Sequence, residues 1–214
     1  MEKISNEKLL QTLDWAYETS INGAGILPSS HDLAQEYLNQ NQGDPLLAAK
    51  SLVRWQTAKA ATSGFLTGLG GIVTMPITIP ASVASYLYIQ LRMISSIAIL
   101  AGFDPKSDKV KTIAYICLAG TGTADVLLKN AGIKIGEKLT NEAIKRIGVE
   151  TIKKINSAVG FRLMTKFGTT GIVNASKLIP IVGGIIGGTF DATTTKTVGE
   201  FTLNLFFKNQ NQGN

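Results

Sequence analysis

Apolar positions recur at helical spacing along almost the whole chain. Leu9, Leu10, Leu13, Ala16, Tyr17 and Ile21 line one face of a helix over residues 5–22, which Gly23 and Gly25 close. In PSSHDLAQEYL, Ser29 is placed to cap a second helix and Asp32 to support its first turn. The polar string NQNQG (39–43) ends that helix as a loop, and the same letters at 209–213 make a tail with nothing to bury. Asp44-Pro45 opens a third helix, since proline is welcome in a first turn, and the pattern runs on to Gly70-Gly71. TMPITIP must be extended or tightly turned, because each proline pushes its predecessor away from helix. From Ala81 an apolar helix reaches Leu100, closed by Gly102 and the Asp104-Pro105 turn. Residues 106–130, 136–147 and 149–167 give three more helical patterns, and the apolar stretch IVNASKLIPIVGGIIGGTF precedes a Thr-rich helix ending at Phe207. No strand-like alternation bounded by hairpin turns occurs. The expected fold is all-α, a single multi-helix domain with a Gly/Pro-broken helical hairpin.

That hairpin is the part of the pattern that bears on location. No charged side chain stands between Ala60 and Leu91, and Pro76 and Pro80 divide the run. A membrane-crossing helix needs ~20 apolar residues. The part before Pro76 supplies sixteen and carries four glycines, and the part after Pro80 supplies eleven before Arg92. A span centred on Arg92 would bury a charge, at ~2.5–3.5 kcal/mol on insertion scales. The stretch Leu178–Phe190 is thirteen residues long. These lengths argue against ordinary spans and fit a re-entrant hairpin around Thr74–Pro80, helices lying in the interface, or an apolar soluble core. Gly68, Gly70, Gly71, Pro76, Pro80, Gly183, Gly184 and Gly187 are the candidate insertion or hinge positions. Glycines four apart (64/68, 132/136, 183/187, 184/188) suit close helix packing, in lipid or in a core.

Charge adds a second candidate surface. Of 214 residues, 21 are Lys or Arg and 15 Asp or Glu, a net +6. The segment from Lys129 to Lys166 holds nine basic and three acidic residues, so it carries the whole excess. A local basic surface suits anionic headgroups or nucleic acid, and a solvated helical face is the plain alternative. Ile144, Ile147, Ile152, Ile155 and Val159 form its inward stripe, few aromatics are present for base stacking, and arginines are not clustered. This lysine-rich amphipathic pattern fits a membrane surface better than nucleic acid. Lys134, Lys138, Lys145, Arg146, Lys153 and Lys154 are the candidate lipid- or anion-binding residues. The N-terminus has no apolar stretch after a basic start, so no signal peptide is expected. The lone Cys117 reads as a buried inert thiol in a protein of the reducing cytoplasm.

GLGGIVTMPITIPASVASYLYIQLRMISSIAILAGFDP resembles the EcsC-type family of bacterial proteins. It has a Gly-x-Gly-Gly turn, two prolines four apart, and a long apolar helix ending in Gly-Phe-Asp. LIPIVGGIIGGTFDATTTKTVGEFTLNLF is similar to that family's closing segment. The likeness covers roughly residues 45–207 and divides the chain into an N-terminal helical extension (1–43), an EcsC-like helical domain (44–207) and a disordered tail (208–214). It implies a helical domain that often accompanies membrane transport systems, with no established catalytic activity. The family commonly has an acidic residue between the two prolines, where Thr78 stands here.

Candidate chemistry is sparse. One histidine, His31 in the polar start of a helix, and one cysteine assemble neither a Cys/His metal site nor a Ser-His-Asp triad. TIAYICLAGTGTADVLLKNAG imitates a strand, glycine turn and helix, but Gly120-Thr121-Gly122 lacks the third glycine of a dinucleotide fingerprint. Asp125 and Asp191, each among small and apolar neighbours, are candidate buried polar positions, as a cavity lining or as structural caps and ion pairs. No catalytic residue, metal or cofactor is assigned, and the oligomeric state is not set by the sequence. The expected protein is non-enzymatic and cytoplasmic, peripheral or shallowly inserted at the cytoplasmic membrane. It binds an anionic lipid surface or a membrane-protein partner. The alternatives are a soluble helical adaptor or inhibitor, and a hydrolase with an unrecognised carboxylate site.

Overall fold

The computed structural model describes residues 5–23, 28–61, 81–134, 139–167 and 185–207, and every regular element among them is a helix. In chain order these are α1 (Asn6–Asn22), α2 (Ser30–Gln40), α3 (Pro45–Ala60), α4 (Ala81–Leu100) and α5 (Asp108–Ala119). Then follow α6 (Thr121–Asn130), α7 (Asn141–Lys145), α8 (Val149–Phe167) and α9 (Ile185–Phe207). The polar punctuation sets the helix starts. Ser5 accepts from Lys8 N, and Ser29 and Asp32 form a reciprocal capping box. Asp44 accepts from Leu46 N and Leu47 N, with Pro45 in the first turn of α3.

α4 is the centre of the molecule. α1, α2, α3, α5 and α9 all pack against it, and of Val83–Leu100 every residue except Ile99 is buried. This stretch is long and apolar enough to cross a membrane, but 94% of it is enclosed by the protein itself. Two of its polar residues find partners in the surrounding helices. Gln90 Nε2 donates to Thr195 Oγ1 of α9 at 2.7 Å, and Ser96 Oγ donates to Ser30 O of α2 at 2.9 Å.

On one flank α8 packs on α1 and α5; on the other, α9 packs on α3. Both contacts depend on a glycine. A Cβ on Gly160 would lie 2.8 Å from Leu10 Cδ2, and one on Gly199 would lie 2.5 Å from Val53 Cγ1. Neither position was marked by the four-residue glycine spacing. α1 and α5 are tied by polar contacts: Tyr115 donates to Asp14 at 2.7 Å, and Lys111 Nζ lies 2.9 Å from the same carboxylate. Burial pulls the Lys111 ammonium down, but the bond and charge of Asp14, with Glu18, outweigh it, so its pKa is raised.

The pattern expected as one helix over 106–130 is two. Gly120, at φ +88°, breaks it, because a left-handed residue ends α5 and re-aims α6. Gly102, also left-handed (φ +84°), closes α4, and Asp104 accepts from Lys106 N in the turn that follows. The helix expected from Asp44 onward is described to Ala60, and the broken hairpin that follows it lies outside the described residues. α9 begins at Ile185, so the end of the last apolar stretch is already helical.

Candidate functional site

The basic segment folds around its isoleucines. Thr140 Oγ1 accepts from Ala143 N to start the short α7, and Ile144 and Ile147 turn inward there, leaving Lys145 and Arg146 in solvent. Lys109 of α5 donates through Nζ to the Lys145 carbonyl, which brings another cation to this end. On α8 the inward stripe is Ile155, Val159 and Leu163, with Ile152 half-buried, and Lys153, Lys154 and Arg162 point out. Glu150 pairs with Lys153 at 3.1 Å across one turn, an exposed pair of small net worth. Among the predicted residues, Lys134, Lys145, Arg146, Lys153 and Lys154 are therefore all exposed, and Lys138 lies outside the described residues.

Between α6 and α8 runs a half-open groove of about 360 Å³, lined by Leu127, Asn130, Thr151, Lys154, Ile155 and Ala158. Leu127, Ile155 and Ala158 are its apolar lining residues, and Asn130, Thr151 and Lys154 its polar ones. Asp125 is half-buried on α6, outside this lining, and forms no ion pair with Lys129 among the described residues. Asp191 falls in the second turn of α9, and its side chain lies outside the described residues. So do Gly68, Gly70, Gly71, Pro76, Pro80, Gly183 and Gly184, while Gly187 is in the first turn of α9. His31 is on the solvent face of α2. Burial pushes the Cys117 thiol up to about 12, which keeps it protonated and a poor nucleophile.

A second surface escaped the sequence reading. α3 buries Ala48, Ala49, Leu52, Val53, Gln56 and Ala60 against α2, α4 and α9, and this fixes which arc faces water. On that arc lie Leu47, Lys50, Arg54 and Trp55, with Leu47 52% and Trp55 51% exposed. The helix has no acidic residue. The signal was present as a helical wheel over residues 45–60, but a tryptophan in an apolar run reads as core until its neighbours are known. An exposed indole beside two cations has the composition of an interfacial helix face.

Comparison with known proteins places the chain in a family. The model of the EcsC protein family matches residues 4–208, which includes α1 and α2 as well as the stretch that carried the resemblance. Among curated proteins, the uncharacterized protein YdbA of Bacillus subtilis (strain 168) is 26% identical over 164 residues, or 75% of this chain and 56% of that protein. The chain thus spans little more than half the length of that relative. No solved structure matches.

Proposed function

The chain belongs to the EcsC protein family, and on that premise we propose that it is a non-enzymatic protein that docks peripherally on the anionic cytoplasmic face of the membrane. The observation that carries this reading is the outward placement of Lys145, Arg146, Lys153, Lys154 and Arg162 around an inward isoleucine stripe. Each cation held near such a surface contributes about 1 kcal/mol, falling away within a Debye length. Three or four together suffice for reversible attachment at low salt. The α6–α8 groove, with Lys154 in its wall, offers one headgroup a more specific seat. The enclosure of α4 supports a peripheral mode, since the helix able to span is already occupied by protein contacts.

Co-sedimentation with vesicles tests the reading. The full chain is expected to pellet with phosphatidylglycerol-containing vesicles at low salt, to stay in solution with neutral ones, and to be released at high salt. Lys153→Glu with Lys154→Glu should abolish most of that binding, and Trp55→Ala, on the opposite flank, should leave it unchanged. A monodisperse protein that ignores anionic vesicles at low salt would sink the proposal and favour the adaptor reading.

A further inference from the structure

Arg92, in the middle of α4, is a buried cation without a counter-charge. It is 7% exposed, its Nε and Nη1 have no hydrogen-bond acceptor, and no ion pair reaches it among the described residues. Its guanidinium lies 5.4 Å from the ring centre of Tyr88, one turn earlier, and the buried Tyr88 hydroxyl has no partner other than that guanidinium. The nearby Ser96 hydroxyl is shared between the Ser30 and Arg92 carbonyls, each at 2.9 Å, and is not spent on the guanidinium. An arginine cannot escape burial by losing its proton, as a buried lysine or carboxylate can, so its charge must be met by an anion. The segments before α4 and before α9, residues 62–80 and 168–184, hold no Asp or Glu in the sequence, and the acids whose side chains lie outside the described residues are Glu2, Glu137 and Asp191.

We propose that Arg92 and Tyr88 form an internal receptor for a phosphate-type oxyanion that comes from outside the chain. Three donors, Nε, Nη1 and the Tyr88 hydroxyl, await acceptors. A tetrahedral oxyanion has more oxygens to share among them than a carboxylate, and its charge matches the guanidinium. Free phosphate and the phosphate of a lipid headgroup present the same chemistry. This inference is independent of the lysine-rich surface, since Arg92 is on the central helix and not on α7 or α8.

Thermal unfolding of the full chain with inorganic phosphate, chloride or acetate at matched ionic strength tests it. Phosphate is expected to raise Tm saturably in the wild type, because a ligand bound only by the native state stabilises it. Tyr88→Phe should raise the half-saturating phosphate concentration about tenfold, the loss of one bond to a charged group. Arg92→Met should abolish the response, yet raise Tm in phosphate-free buffer, because the unpaired charge is gone. Short-chain soluble phosphatidate identifies the source: half-saturation at lower concentration than inorganic phosphate assigns the site to a lipid headgroup, and the reverse to free phosphate. No response of the wild type to either probe overturns the proposal, and so does an equal response in Arg92→Met. An equal response to acetate overturns the phosphate class. Should Arg92→Met fail to fold, the wild-type and Tyr88→Phe titrations decide alone.

Discussion

Two single residues show how close the helices stand. A methyl group on Gly199 would sit 2.5 Å from Val53 Cγ1 and 2.9 Å from its Cγ2, well inside contact distance. Gly199→Ala is therefore expected to cost about 1–3 kcal/mol in chemical denaturation, the range for overpacking. Adding Val53→Ala should recover part of the loss, which a simple helix-propensity effect would not allow, since alanine is the better helix former. Were Gly199→Ala to stabilise instead, α3 and α9 would be further apart than described. Cys117 gives the second test. It is fully buried, and its pKa near 12 leaves almost no thiolate at neutral pH. A thiol reagent should label it only as fast as the protein unfolds, and prompt labelling of the folded chain would place it elsewhere.

At the scale of elements, the starts of helices were legible and one interior break was not. Ser29, Asp32, Asp44 and Pro45 declare themselves because a cap needs a short polar side chain at one position, and the structure uses each of them so. Gly120 is different: a glycine within a helical run is commonly tolerated, and only its left-handed φ of +88° separates α5 from α6. No atom lies within 4 Å of where its Cβ would be. Gly120→Ala is thus expected to cost about 1–2 kcal/mol from backbone strain alone, with no rescue by trimming any neighbour. The capping box predicts a pH effect. The Ser29 hydroxyl and amide hold the Asp32 carboxyl below its ordinary 3.8. Because the folded value is the lower one, the contribution is present above that pH and is lost as pH falls through the folded value. Ser29→Ala should lower Tm at neutral pH and shrink the acid-induced loss below about pH 4, where the box would otherwise be opening.

For the molecule as a whole, the sequence carried the helical class and the basic segment but not which surfaces are covered. The isoleucine period predicted the inward face of α7 and α8, because that pattern is local. Trp55 faces outward and Arg92 inward, placements no local pattern decides, since their surroundings are set by helices distant in the chain. Arg92 had served as an argument against a membrane span, and the structure encloses it in protein. The enclosure of α4 has a kinetic meaning. A helix that touches five others has no local route to solvent, so its amide protons should exchange only when the entire fold opens. Exchange at α4 then measures the global unfolding free energy, while α7, with one buried residue, exchanges by fraying. If attachment to vesicles is peripheral, it leaves the relative order of these two rates unchanged. A protocol that finds α4 exchanging faster on membranes would reveal that the core itself has come apart there.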